Sequence, residues 1–123
     1  DTGAVTGAVL FVGAATRDTI LRLPPGALAQ LAAGGGGGKV LASSVHECAA
    51  GMASSAAVAA ARVGARAVVC ATVGDDAAGS AYLTEMRAEG VDTSAVRVLN
   101  GVSTAVSAIL VDGGAGDRLV VPF

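Results

Sequence analysis

Asp18 is the first residue of the chain placed to do chemistry. It follows the apolar run Val9-Leu10-Phe11-Val12, which ends at Gly13. In open α/β sheets, ligands bind beyond the carboxyl ends of the strands. A carboxylate there accepts two hydroxyl hydrogen bonds from a polyol, and such charge-assisted bonds are the strong ones. A second candidate is Ala50-Gly51-Met52-Ala53-Ser54-Ser55, at the start of an alanine-rich segment. Gly51 lets a ligand come close to the backbone, and Ser54 or Ser55 brings a hydroxyl to the same place. Either serine also suits a helix N-cap.

Other constellations carry less. Gly34 to Lys39 invites a P-loop reading, but Ala33 stands where the first glycine belongs and Val40 where Ser or Thr belongs. It reads as a surface loop. Gly114-Ala115-Gly116-Asp117 has the letters of an anion-binding turn, but a strand pattern, Arg118 to Pro122, follows instead of a helix. It reads as a hairpin turn. His46 and Glu47 are adjacent on a strand and face opposite sides. Cys48 and Cys70 lie in apolar stretches and read as buried thiols. One histidine and two cysteines do not make a zinc site, so no metal ligands are assigned.

These residues need elements to hold them. Val9–Val12 reads as a buried strand, and residues 19–23 as another. Pro24-Pro25-Gly26 is a break, and residues 26–38 a loop. Residues 39–47 read as a half-exposed strand. Met52 to Val63 reads as a helix ended by Gly64. Residues 67–73 form a second buried strand. Asp75-Asp76 caps a helix over 77–89, which Gly90 ends. Residues 95–99 form a third strand. Residues 104–111 and 118–122 flank a glycine-rich turn and pair antiparallel. Helical crossovers between buried strands mean a parallel α/β sheet, with an antiparallel flap beside it. So short a sheet has an open apolar edge, and the chain is expected to be the N-terminal part of a larger protein.

Composition narrows the function classes. The 123 residues are 53% hydrophobic and 15% charged, which argues against disorder. A net charge of −2 and 2% aromatic residues exclude the basic, stacking surface of a nucleic-acid binder. No apolar run reaches the roughly 18 residues needed to span a bilayer. Residues 1–9 have no basic n-region. The expected compartment is the cytoplasm.

Taken together, the segments resemble the ribokinase-like (PfkB) carbohydrate kinases. The first strand with Asp18 resembles the family's opening strand and sugar-binding aspartate. Lys39 to Gly64, KVLASSVHECAAGMASSAAVAAARVG, resembles its Gly-Gly segment and the following helix. Val73-Gly74-Asp75-Asp76-Ala77-Ala78-Gly79 resembles its V-G-D-D-x-x-G, and Gly90-Val91-Asp92-Thr93 its G-V-D-T link. Ser103-Thr104 and Asp112 to Val121 resemble its lid hairpin. The likeness covers residues 8–123, with 1–7 as an extension. Within the family, Lys39 to Gly64 most resembles the sulfofructose kinases.

The resemblance implies a three-layer α/β domain with a small β lid, its strands near 19–23, 39–47 and 103–122. It implies transfer of the γ-phosphoryl of ATP, with Mg²⁺, to a hydroxyl of a sugar or sugar phosphate. It also implies a homodimer through the lid. Asp18, Gly51 and Ser55 fall where the family holds sugar hydroxyls, and Ser107 and Ile109 on the strand covering the sugar. Lys39 falls near the pocket mouth, where an anionic head group could meet it. Two positions depart from the pattern. Ala50-Gly51 replaces Gly-Gly, and Ser55 replaces a frequent Asn. The ATP site and the catalytic base are expected outside these residues, so none here is assigned as catalytic. Two rival expectations are a non-catalytic sugar-binding or dimerisation module, and a nucleoside or vitamin kinase on the same scaffold.

Overall fold

The computed structural model describes residues 7–34 and 38–123. The expected N-terminal extension and the middle glycines of the 34–38 run fall outside the described residues, apart from Gly7. The chain divides into two compact units. The first comprises residues up to Arg17 together with Ala49–Ala105, and the second Asp18–Cys48 with Val106–Phe123.

The first unit is a parallel α/β assembly. Strand β1 (Val9–Val12) pairs in parallel with β4 (Ala67–Cys70), Val9 facing Ala67 and Val12 facing Cys70. Helix α2 (Met52–Arg62) crosses over between them and packs on both. Its small residues allow that approach, and Ala57 is fully buried. Strand β5 (Thr72–Gly74) follows β4 after one residue and pairs in parallel with β6 (Arg97–Leu99). Between these lies helix α3 (Ala77–Ala88), against β5. The 67–73 segment, expected as one strand, is thus two, because its halves pair with different partners. The core gathers Ala57, Val69, Val73, Tyr82, Met86 and Val91, with Phe11 packed against it.

The second unit is built on a four-stranded sheet in the order β3-β2-β7-β8. Its strands are β2 (Thr16–Leu23), β3 (Ser44–Ala50), β7 (Ala105–Asp112) and β8 (Arg118–Pro122). Strands β7 and β8 are antiparallel, as the glycine-rich turn implies, with Ser107 opposite Pro122 and Ile109 opposite Val120.

Two expectations are corrected here. Strand β3 begins at Ser44, not at residue 39. Just before it, the Ser43 N–H and hydroxyl both bond the Arg22 carbonyl on β2, at 2.8 and 3.0 Å. The loop expected over 26–38 contains helix α1 (Ala27–Ala33). Gly26 and Gly34, read as loop residues, are its caps. The residues between are strong helix formers. The carboxylate that satisfies the helix start comes from Asp112, which accepts from the N–H groups of Gly26 (3.1 Å) and Leu28 (3.3 Å). A cap donated from 84 to 86 residues away leaves no mark in the local sequence.

Candidate functional site

In the first unit, Gly51 opens α2 with φ 105° and ψ 142°. A Cβ here would lie 2.2 Å from the Ala14 carbonyl oxygen. Both the dihedral and the space therefore demand glycine. Ala14 continues the chain past the end of β1, so the helix start is pressed against the strand's carboxyl end. Along that edge lies a cavity of about 480 Å³ lined by Gly13, Ala14, Cys70, Thr72, Arg97 and others. Arg97 is exposed at the start of β6, and its N–H bonds Ala71 O at 2.9 Å. Neither Thr72 nor Arg97 was marked by the sequence, because the pairing of β5 with β6 brings them together.

Ser55 sits one turn into α2, its N–H on Gly51 O at 2.9 Å. Its surroundings include a groove of about 280 Å³ lined also by Ser54, Val58, Arg62, Glu85 and Glu89. Arg62 forms a two-pronged pair with Glu89, at 2.8 and 2.6 Å. That pair holds the Glu89 carboxyl below its ordinary range. Arg17 pairs with Glu85. Neither Ser54 nor Ser55 caps α2 by its side chain. Ser54 is buried instead, with its hydroxyl 2.6 Å from that of Tyr82, the sole tyrosine. Burial pushes the Tyr82 phenol upward, and the Ser54 bond opposes this.

Asp76 caps α3 as expected, accepting from the Gly79 N–H at 2.8 Å. It also accepts the Thr104 hydroxyl (2.6 Å) and the Thr104 N–H (2.8 Å). These bonds, the hydroxyl first, hold its carboxyl below the ordinary value. Thr104 is the residue that sequence reasoning undervalued: 28 positions separate it from Asp76.

In the second unit, Asp18 is half-buried on β2, the strand next to β7. Ser107 is buried, Ile109 half-buried, and both lie on one face of β7. Asp112 ends that strand. Its carboxyl lies below the ordinary range, chiefly through the Gly114 N–H (2.9 Å) and then that of Gly26. Lys39 is exposed and lines a cavity of about 160 Å³ with Gln30, Leu31 and Gly34, at the carboxyl end of α1. A cation complements that end of a helix.

The structure thus groups Gly51 with Ser55 in one unit, and Asp18 with Ser107 and Ile109 on neighbouring strands of the other. Lys39 belongs to neither group. Among the described residues, no cluster of three or more His, Cys, Asp or Glu could hold a metal ion. The Gly114 N–H is spent on Asp112, and β8 rather than a helix follows the turn. These residues do not fit Mg²⁺ or the phosphates of ATP. Cys48 and Cys70, expected as buried thiols, are half-buried and not in a disulfide. Among the described residues, no helix is long and apolar enough to cross a membrane.

The pfkB family carbohydrate kinase model matches residues 10–123. Among solved structures, a provisionally named ribokinase from Agrobacterium tumefaciens is 43% identical, with a TM-score of 0.82 over 95% of this chain and 36% of that one. The Burkholderia thailandensis nucleoside kinase, solved with inosine, is 23% identical, with a TM-score of 0.76 over 94% and 36%. The Arabidopsis thaliana ribokinase, solved with ribose and ATP, is 18% identical, with a TM-score of 0.73 over 94% and 35%. The chain therefore spans about a third of the length of these structures. With a parallel α/β unit, an antiparallel sheet and a family match over nearly all its residues, the chain belongs to the pfkB family of carbohydrate kinases.

Proposed function

We propose that these residues form the acceptor-binding and lid portion of a sugar kinase, which transfers the γ-phosphoryl of ATP to a sugar hydroxyl. The observation that carries the reading is the cavity at the carboxyl ends of β1 and β4, bounded by the same Ala14 that Gly51 abuts. That is where α/β sheets take ligands. Asp18 accepts hydroxyl hydrogen bonds and so orients the acceptor. Gly51 gives the sugar access to backbone, and Ser55 adds one hydroxyl. Ser107 and Ile109 cover the sugar and exclude water. In such a kinase ATP would supply the phosphoryl group and Mg²⁺ would offset its charge. None of the described residues is assigned to the donor site or as the catalytic base. Two thiols outside any disulfide suit a reducing cytoplasm.

For the acceptor, we favour a sugar or sugar phosphate, and the likeness of Lys39–Gly64 to the sulfofructose kinases extends this to acids. The position of Lys39 at the carboxyl end of α1 weakens its part in that extension. The nucleoside reading is favoured by one observation, the likeness to a kinase solved with inosine. The homodimer reading is supported by the exposed strand β8. Antiparallel register puts Leu119 and Val121 beside Leu110 and Ala108, on the face opposite Ser107 and Ile109.

A panel of sugars, sugar phosphates and nucleosides, with ADP release as the readout on the intact protein, tests the assignment. Asp18→Ala is expected to raise KM for the sugar about ten- to a hundredfold, since each hydrogen bond to a charged group contributes about 1.5–3 kcal/mol. If KM and kcat both stay within about a factor of two, a change below about 0.5 kcal/mol, Asp18 is not the sugar anchor.

A further inference from the structure

Most arginines of the first unit are spent on neighbours. Arg17 pairs with Glu85, Arg62 with Glu89, and Arg87 donates to the Thr93 hydroxyl at 2.9 Å. Arg66 lies near enough to Asp92 to help hold its carboxyl down. Arg97 is the exception. Among the described residues, none bonds its guanidinium. It is exposed, and it lines the cavity of about 480 Å³ at the carboxyl ends of β1 and β4. Its direct partner across the parallel pair of β5 and β6 is Thr72. Val73 belongs to the core, so the alternation along β5 puts Thr72, and Arg97 beside it, on the opposite face. Two main-chain bonds hold the walls. The Gly13 N–H bonds Cys70 O at 3.1 Å, and the Arg97 N–H bonds Ala71 O at 2.9 Å. The cavity is therefore formed before a ligand arrives, which lowers the cost of ordering it.

The lining is otherwise poor in polar side chains. Among the described residues around the cavity, Thr72 supplies the one hydroxyl and no carboxylate is present. Much of the rest is apolar, with Val12, Ala15 and Ala105. A guanidinium has only donors. Its complement is a group made of acceptors alone. A neutral polyol is a poor match, because a hydroxyl turned to an apolar wall gives up its water and gains no partner. An oxyanion fits. Its oxygens accept two parallel bonds from the guanidinium and a third from the Thr72 hydroxyl. We propose that Arg97 and Thr72 form an anion-accepting end of this cavity, so that the acceptor is an acidic sugar bearing a phosphate, sulfonate or carboxylate. This rests on the sugar-kinase reading above. Arg97, rather than Lys39, is then the residue that selects for charge. Both members of the pair are exposed, so salt screens the attraction.

The test is equilibrium binding to the intact protein without nucleotide. The probes are fructose, fructose bearing a phosphate, sulfonate or carboxylate at its terminal carbon, and inorganic phosphate. Titration calorimetry reads Kd, and amide chemical shifts read where each probe sits. At least one acidic sugar is expected to bind about tenfold or more tightly than fructose, the gain from a bond to a charged group. It should also shift the Thr72 amide. Which acid binds tells the three sources of charge apart. Arg97→Ala, at an exposed position, is expected to cut the preference about tenfold to a hundredfold. Arg97→Lys keeps the charge without the fork and is expected to recover part of it. Added salt should erode the preference in wild type and not in Arg97→Ala. Acids that bind no tighter than fructose overturn the proposal, as does a preference that Arg97→Ala leaves within about a factor of two. Inorganic phosphate that shifts the Thr72 amide in wild type but not in Arg97→Ala, in a protein that binds no sugar, would keep the anion site and remove the sugar-kinase reading. Fructose bound as tightly as every acid would keep the kinase reading and remove the anion site. Silence from every probe removes both.

Discussion

The two units are held together by different means. In the first, Val69, Val73, Tyr82 and Met86 are each 0–1% exposed, in a core between the strands and helices α2 and α3. In the second, Leu23 and Ala27 are the buried apolar residues among those described, and every residue of β8 is exposed. What the second unit lacks in apolar burial it replaces with carboxylate bonds. Asp112 gathers the N–H groups of Gly26, Leu28 and Gly114, while the Gly113 N–H bonds Leu23 O at 3.0 Å. Packing thus fixes one unit, and directional bonds plus an uncovered apolar strand define the other.

The largest expected effect breaks the first unit. Tyr82→Ala removes the largest fully buried side chain. A loss of about 3–5 kcal/mol is expected, as for other large-to-small aromatic changes. Tyr82→Phe keeps the ring but leaves the buried Ser54 hydroxyl without its partner, at a cost of about 1–3 kcal/mol. Adding Ser54→Ala to Tyr82→Phe is expected to recover part of that, because both polar ends are then gone. Urea unfolding of the four proteins checks the order. A double variant less stable than Tyr82→Phe alone would mean Ser54 stabilises by packing, not by its bond.

How much of this was legible in the sequence follows the same division. The helices and strands of the first unit carry their own periodicity and glycine stops and fall where the chain's patterning puts them, but β1, read as buried from its apolar run, exposes Val9, Leu10 and Val12. The 67–73 strand misled only because a change of pairing partner at Ala71 leaves the residue pattern unbroken. The second unit was harder. Helix α1 hid between two glycines because its capping carboxylate, Asp112, is remote in sequence. Of the candidate site, Gly51 was visible as a glycine at a helix start, but its reason, the Ala14 carbonyl, was not. The N-cap role of Asp76 was legible within four residues, and its grip on Thr104 was not.

Acid is expected to sharpen the comparison at intermediate size. Asp112 in the second unit, and Asp76 and Asp92 in the first, have carboxyls held below their ordinary value. A carboxylate whose folded pKa is lowered contributes stability that is complete above the unfolded value, about 3.9. That contribution is lost as pH falls through the folded value. Stability should therefore be flat with respect to these groups above about pH 5 and fall below about pH 4. Asp112→Asn should blunt the acid loss of order at Gly26 and Gly114 while leaving that at Gly79 and Thr104. Amide chemical shifts followed from pH 6 to 2 separate the two. Identical acid midpoints at Gly114 and Gly79 in the variant would mean the units respond as one.

The smallest effect on folding comes from the strand that buries least. Leu119 and Val121 are 51% and 45% exposed on the edge strand of their sheet. An exposed apolar edge is normally covered or blunted with charge, and this one carries only Arg118 at its start. Replacing both residues with lysine removes little packing, so the Tm should move by the equivalent of about 0.5 kcal/mol or less. The same change puts two like charges on the face proposed to meet a second copy, and there it should matter greatly. Sedimentation of wild type against Leu119→Lys/Val121→Lys over a range of concentration reads that difference. A wild-type dimer that becomes a monomer without loss of Tm means the second unit is completed by its partner. A dimer that survives both lysines places the contact elsewhere, and β8 would then need another cover.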